Sequence, residues 1–206
     1  LVVGFAAETD NLLAHATATR ARKGCDWIVA NDVRPETGIM GGTENAVRMA
    51  ADEANASGLV IGGKNIKFEV LAEDDQADPK TATTVAQKLV DAKISGVVGH
   101  MNSGAGIPAS KIYMDASIPQ ISASMTAVAY TAQGYPTTYR VMANDAQQGK
   151  VLGEYATGKW GAKKVVLIDD RTAYGQGLAD EVEKTVKAAG GEIVAREFTN
   201  DKAQDF

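Results

Sequence analysis

The sequence predicts an α/β protein built on a parallel sheet with helices on both faces. Three observations lead there. Apolar runs of strand length alternate with segments whose apolar residues recur at helical spacing. The order strand, helix, strand, helix persists along the chain and argues for parallel βαβ units. Small and hydroxyl-bearing residues gather in segments that follow strands, which is where open α/β sheets bind ligands.

The run LVVGFAAE at 1–8 has strand length, and Thr9 and Asp10 are candidate caps for a helix with Leu12, Leu13 and Ala16 on one stripe, ending at Gly24. DWIVAND at 26–32 is a second strand, and Pro35, Gly38, Gly41 and Gly42 mark an irregular loop after it. Thr43 caps a helix through Ala56, with Glu44 in its first turn and packing through Val47, Ala50, Ala51 and Ala54. Next come a strand over 66–74, a helix opened by Asp78 with Pro79 at its first position, a strand over 96–100, a helix near 106–116 and a strand over 119–124. In the Asp78 helix, Ala82, Val85, Ala86, Leu89 and Val90 form one stripe, whose burial contributes roughly 1.5–3 kcal/mol per large side chain. After a less regular stretch at 125–144, a helix starts at Asp145, followed by a strand over 164–170, a helix around 175–189 and a strand over 192–198.

Composition narrows the function. The chain has 206 residues and a formal charge of −5, with acids and bases interspersed, so it carries no electrostatic footprint for nucleic acid or an anionic membrane. A small molecule or a protein is the better partner. Cys25 is the single cysteine, which excludes an intrachain disulfide and leaves too little sulfur for a structural zinc site. No basic segment followed by a long apolar run marks an export signal or membrane span, and the chain reads as a mature, trimmed or fragmentary product.

Two post-strand loops, HMNSGAG at 100–106 and SASMTA at 122–127, offer free backbone N–H groups, with Ser103, Ser124 and Thr126 as hydroxyl donors for a carboxylate or phosphate. On pattern alone, Ser103 also reads as a helix cap and Thr126 as a turn residue, and spacing does not decide between the readings. In DDRTAYGQG at 169–177, Asp169 and Asp170 point to opposite faces of an extended strand, poorly placed to share an ion or proton, and salt bridging to Arg171 is the expected role. Tyr174 follows at a helix start. His15 reads as a solvated helix residue and His100 as a loop or strand-end residue, without triad or metal spacing. GFAAETDNLL and GIMGG lack the spacing of a dinucleotide fingerprint or P-loop. No catalytic set, cofactor or metal is expected.

Residues from about 44 to 206 resemble the branched-chain amino acid binding proteins of ABC importers. The likeness rests on FEVLAEDDQADPKTATTVAQKLVDAKISGVVGHMNSGAGIPASKIY, IPQISAS, ANDAQQG and IDDRTAYGQGLADEVEKTVKAAGGEIVAREFTNDKAQDF. The resemblance implies the Rossmann-like lobe of a type I periplasmic binding protein at 44–142, then an incomplete second α/β lobe at 143–206. It also implies a branched-chain amino acid as ligand, a membrane ABC permease as partner, and a periplasmic location, while the missing export signal leaves a cytoplasmic one open. Ser103, Ser124 and Thr126 would hold the ligand's α-carboxylate from the first lobe, with Tyr174 facing it from the second.

Residues 1 to about 43 resemble phosphopantothenate–cysteine ligase, the synthetase half of the bifunctional coenzyme A enzyme, through LVVGFAAETDNLLAHA and ARKGCDWIVANDVRPETGIMGG. There GFAAET and ANDV flank a CTP or ATP site beside a basic cluster. Thr19 stands where that cluster's leading lysine is expected, leaving Arg20, Arg22 and Lys23. The two resemblances together imply a chimera, engineered, naturally fused or misassembled, with its seam at about Thr43 to Val47; if WIVANDV substitutes for the first strand of the binding-protein family, it stands beside strand 66–74. With the segment for an acidic partner of the ligand's ammonium absent, two charge-assisted hydrogen bonds contribute about 1.5–3 kcal/mol each. Immobilising the ligand costs at least about 4 kcal/mol, so the half-site falls short of the roughly −8 kcal/mol of micromolar binding. The expectation is a binding module; a nucleotide-dependent ligase fragment and a designed scaffold without native function are the alternatives.

Overall fold

The computed structural model describes residues 3–8, 27–32 and 42–200. The helix expected after Asp10, together with His15, Thr19, Arg20, Arg22, Lys23 and Cys25, lies outside the described residues. Two compact units divide the chain, Leu1–Ala72 and Glu73–Phe206.

In the first unit, β1 (Val3–Glu8) and β2 (Trp27–Asp32) pair in parallel, with Val3 opposite Trp27 and Glu8 opposite Asp32. Helix α1 (Gly42–Ala56) begins one residue before Thr43 and carries Glu44 in its first turn, ion-paired to Arg48 at 2.8 Å. Of its expected packing stripe, Val47, Ala51 and Ala54 are half-buried and Ala50 is exposed. A short hairpin joins β3 (Val60–Ile61) to β4 (Lys64–Asn65) through Gly62 and Gly63 at φ +58° and +77°. A two-residue turn of this kind needs left-handed backbone, which glycine adopts without steric penalty.

The strand expected over 66–74 does not form. Asn55 reaches from α1 to claim both backbone groups of Phe68: its Nδ2 donates to the Phe68 carbonyl at 2.9 Å and its Oδ1 accepts the Phe68 N–H at 2.7 Å. A residue whose single N–H is taken by a side chain has no donor left for a ladder. The expected neighbour, β2, pairs with β1 instead.

The second unit alternates parallel strands with helices, as the sequence predicts. Helix α2 (Pro79–Asp91) precedes a parallel sheet in the order β5 (Val97–Val98), β6 (Gln120–Ser122), β7 (Thr138–Arg140). Helix α3 (Ser103–Asp115) joins the first two strands and the short α4 (Val128–Ala132) the second pair. Then α5 (Asp145–Glu154) runs into a π-helical turn, Tyr155–Lys159, and α6 (Ala173–Ala188) connects the parallel strands β8 (Lys164–Asp169) and β9 (Glu192–Phe198).

Helix α2 starts where its sequence signals place it. Asp78 is its N-cap in extended conformation, its carboxylate accepts the Thr81 N–H at 2.7 Å and the Thr81 hydroxyl at 2.9 Å, and Pro79 opens the helix. The proline lacks an N–H at a position that has no intrahelical acceptor. Ala82, Ala86 and Leu89 of α2 pack with Ala105, Ala109 and Tyr113 of α3 and with Ile118 as one buried core, flanked by Val85, Val90 and Val97. Four fully buried alanines leave nothing beyond Cβ to hold the helices apart.

Close approach recurs between α5 and α6. A Cβ on Gly149 would stand 2.5 Å from the Glu181 Cβ and 2.9 Å from the Val182 nitrogen, and one on Gly153 would stand 2.6 Å from the Thr185 Cβ. Along β8, Val165 and Leu167 are half-buried while Val166 and Ile168 are exposed. The same one-sided burial marks the three-stranded sheet, where Val98, Ile121 and Tyr139 lie opposite one another in register and all three are exposed.

Two substitutions test this packing by urea unfolding. Gly149→Ala should lose roughly 1–3 kcal/mol, because the added methyl meets backbone that cannot yield. Asp78→Ala should lose about 1 kcal/mol through the vacated cap. Equal stability of Gly149→Ala and the parent chain would contradict the close α5–α6 crossing.

Candidate functional site

The loops after β5 and β6 leave the sheet side by side because their strands are neighbours in register. The Gly99 N–H donates to the Ile121 carbonyl at 2.9 Å, and Gln120 Nε2 donates to the Gly99 carbonyl at 3.0 Å. Ser122, the last residue of β6, is buried and knits the loops together. Its hydroxyl donates to the His100 carbonyl at 3.2 Å and accepts the N–H groups of Ser124 (3.2 Å) and Met125 (2.9 Å).

Of the expected site residues, Ser103, Ser124 and Thr126 lie on these joined loops and Tyr174 lies on α6. Ser103 is not the cap of α3: that place belongs to Asn102, whose side chain makes no capping bond. Instead Ser103 is the first helical residue, nearly fully buried, and its Oγ accepts the Ala127 N–H at 3.3 Å, so its own hydrogen is free to donate. Ser124 differs from the expectation of a free hydroxyl, since its Oγ donates to the Met101 carbonyl at 2.8 Å. Thr126 Oγ1 is buried and adjoins the Asp145 carboxyl. Tyr174, the second residue of α6, meets Gln148 Nε2 at 3.5 Å and so ties α6 to α5.

Backbone donors complete the arrangement. The Ala105 and Gly106 N–H groups both bond to the Asn102 carbonyl, which leaves those of Ser103 and Gly104, at the start of a 13-residue helix, without a partner among the described residues. The Thr126 N–H is likewise unpartnered there. Orphan donors at a helix start carry partial positive charge and suit an anion. Gly106 allows the loops to close: a Cβ there would fall 1.9 Å from the Met125 sulfur.

Sequence reasoning missed two residues behind this cradle, one in the stretch read as irregular and one at the start of the helix that follows it. Arg140, opposite Ser122 in the sheet, donates from Nη1 to the carbonyls of Met125 (3.0 Å) and Ala127 (2.9 Å) and from Nη2 to Thr131 Oγ1 (2.6 Å). Asp145, opening α5, is fully buried; its N–H donates to the Thr126 carbonyl at 2.8 Å, and its carboxyl adjoins the Thr126 hydroxyl. Burial raises the Asp145 pKa, offset in part by the adjoining Thr126 hydroxyl and the Arg140 guanidinium. Burial likewise lowers the Arg140 pKa, with Asp145 opposing the shift, and pushes Tyr130, under the Arg140 guanidinium, up to about 12. A strand-end arginine followed five residues later by an aspartate at a helix start was the available signal.

His100 is more engaged than a loop residue. Its Nδ1 lies 2.5 Å from Asp75 Oδ2 and its Nε2 lies 3.2 Å from the Tyr113 hydroxyl. The chain Asp75–His100–Tyr113 is no nucleophile set, because Tyr113 is fully buried and its pKa is raised, first by burial and then by Asp75. The acids at 169 and 170 do have separate roles, but the main partner of Asp169 is Arg196, at 3.2 Å, rather than Arg171, whose Nε stands 3.9 Å away while its guanidinium covers the Phe198 ring. Asp170 accepts from the Thr172 N–H and hydroxyl. Among the described residues, no group of three or more His, Cys, Asp or Glu could hold a metal ion, and no helix is long and apolar enough to cross a membrane. An open groove of about 560 Å³ runs along Thr131, Tyr139, Arg140, Asn144 and Gln147, and a second of about 330 Å³ along Leu152, Leu167, Gly175 and Val182; the four expected site residues line neither.

Asp145 gives stability a pH dependence with a definite sign. A carboxyl whose folded pKa lies above the unfolded value, about 3.9, leaves the native state binding more protons, so stability falls as pH rises from about 4 through the native pKa. Asp145→Asn should flatten that fall in urea midpoints measured between pH 4 and 7. An unchanged slope would place the ionisation elsewhere.

Residues 35–206 match the sequence profile of the family described as "Periplasmic binding protein". The chain is 38% identical over 168 residues to "Leu/Ile/Val-binding protein homolog 1" of Brucella abortus, covering 82% of this chain and 43% of the relative. It is 36% identical over 158 residues to the "Leucine-, isoleucine-, valine-, threonine-, and alanine-binding protein" of Pseudomonas aeruginosa, covering 77% and 42%. Among solved structures, the branched-chain amino acid transporter substrate binding protein LivJ of Streptococcus pneumoniae, in complex with isoleucine, superposes with a TM-score of 0.69 at 32% identity, over 99% of this chain and 51% of that one. The chain thus spans about half the length, or less, of the proteins it matches. These likenesses give no support to a ligase-like segment or a chimera, and the family match begins at residue 35, upstream of the seam expected near Thr43. Alternating parallel strands and helices and a match over residues 35–206 agree: the chain belongs to the periplasmic binding protein family.

Proposed function

We propose that this chain is part of the solute-binding component of an ABC importer for branched-chain amino acids, a binding module without catalytic activity that works in the periplasm with a membrane permease. One observation carries the reading. Unpartnered N–H groups of Ser103, Gly104 and Thr126, with the free hydroxyl hydrogen of Ser103, sit on two loops bonded to each other, a donor set suited to a carboxylate. The relatives named for leucine, isoleucine and valine supply the side-chain class. In this reading residues 44–142 form the first ligand-binding lobe and 143–206 the start of the second. Ser103 and Thr126 hold the ligand's carboxylate end, Ser124 belongs to the same site by joining the two loops through its hydroxyl bond to the Met101 carbonyl, and Tyr174 contributes from the second lobe. For residues 1–34, which precede the family match, the ligase-like resemblance of the 1–43 segment is the alternative reading.

Isothermal titration with leucine, isoleucine, valine and CTP tests both. Heat is expected with the three amino acids, at affinities weaker than micromolar, and none with CTP. Ser103→Ala removes one charge-assisted hydrogen bond, worth about 1.5–3 kcal/mol, and should weaken leucine at least tenfold. Heat from CTP and from no amino acid would replace the first reading with the second.

A further inference from the structure

We propose that Arg140 is a positioning residue for the carboxylate cradle: with the backbone N–H of Asp145, its guanidinium fixes the peptide planes on both sides of Thr126 and so aims the Thr126 N–H and the Ser103 hydroxyl. The assignment rests on the carboxylate-binding reading of those groups. Its basis is the treatment of three consecutive carbonyls. Met125 and Ala127 both accept from Arg140 Nη1, at 3.0 and 2.9 Å, and Thr126 between them accepts from the Asp145 N–H at 2.8 Å.

A trans peptide unit is planar, so a carbonyl held in one direction holds the N–H of the next residue in the opposite one. Fixing the Met125 carbonyl therefore sets the direction of the Thr126 N–H, which has no partner of its own among the described residues. Fixing the Thr126 carbonyl sets the Ala127 N–H, which donates to Ser103 Oγ at 3.3 Å and thereby leaves the Ser103 hydroxyl hydrogen as the one to be donated. The direction of both ligand-side donors thus follows from bonds made on the far side of the same strip of backbone.

The register of the sheet puts Arg140 in place, since it is the last residue of β7 and stands opposite Ser122, from which the loop departs. Only a planar fork meets the geometry. One guanidinium supplies Nη1 to two carbonyls and Nη2 to Thr131 Oγ1 at 2.6 Å, whereas an ammonium is a compact point donor. The buried Asp145 carboxylate and the Tyr130 ring, whose centroid is 5.8 Å from the guanidinium carbon, accompany the charge.

Amide hydrogen exchange in the whole chain, read residue by residue by NMR, tests this. In Arg140→Lys, which keeps the charge and loses the fork, the amides of Ala127 and Asp145 should exchange at least tenfold faster, while those of Ala86 and Leu89 in α2 keep their rates. In Arg140→Ala, guanidinium ion at about 20 mM, far below denaturing concentrations, should restore slow exchange at Ala127 and Asp145, and ammonium should not. Unchanged exchange at both positions in Arg140→Lys overturns the proposal, as does equal rescue by ammonium. Adding L-leucine separates this from the cradle reading: the Thr126 amide resonance should shift in the parent chain and need at least ten times more leucine in Arg140→Lys. A parent chain whose Thr126 resonance ignores leucine defeats the carboxylate reading, and the exchange rates still decide the role of Arg140.

Discussion

The seating of α2 on α3 through alanine is the constraint on which the rest of the second unit depends. With Ala82, Ala86, Ala105 and Ala109 fully buried, the two helices meet at a distance set by backbone and Cβ atoms, and longer side chains close the core around them. That distance leaves α3 little freedom to slide. Its first turn is consequently held where the Met101–Ser103 loop can bond to the loop after β6, and the orphan N–H groups of Ser103 and Gly104 inherit a fixed position. Enlarging any of these alanines would force the helices apart.

Much of this was legible in local sequence because local chemistry dictates it. Asp78–Pro79 names a helix start through a cap and a missing N–H, and strand 192–198 declares itself through an apolar run between turn signals. The post-strand loops holding Ser103, Ser124 and Thr126 were visible for the same reason. What escaped was decided by partners distant in sequence. The segment 66–74 has the composition of a strand, yet Asn55 takes the backbone of Phe68 from 13 residues away. His100 gave no sign of Asp75, 25 residues upstream, and the value of Arg140 lies in the carbonyls it meets, which no residue spacing reveals. The engagement of the Ser124 hydroxyl was hidden in the same way, since the Met101 carbonyl that accepts it lies 23 residues away.

Two buried carboxylates, each with a half-buried arginine beside it, sit where geometry matters most. Asp145 and Arg140 bracket the Thr126 loop, and Asp169 and Arg196 bracket the end of β8, where Arg196 also meets Asp180 and Glu183. Such pairs are weak sources of stability, because desolvation offsets much of their attraction. Their directional bonds to backbone are a different matter. At Asp145 the useful contact is made by the N–H, and the carboxylate behind it is the residue's energetic burden.

The row of Val98, Ile121 and Tyr139 across the three-stranded sheet, with Val166 and Ile168 on β8, keeps apolar surface in contact with water in the folded chain. Surface already hydrated is not newly hydrated when the chain unfolds. The heat-capacity increment of unfolding therefore falls below that of a fully covered domain of equal length, and the stability curve against temperature is correspondingly shallow. Warmth and cold would then act on this chain more evenly than on a protein whose sheets are sealed on both sides.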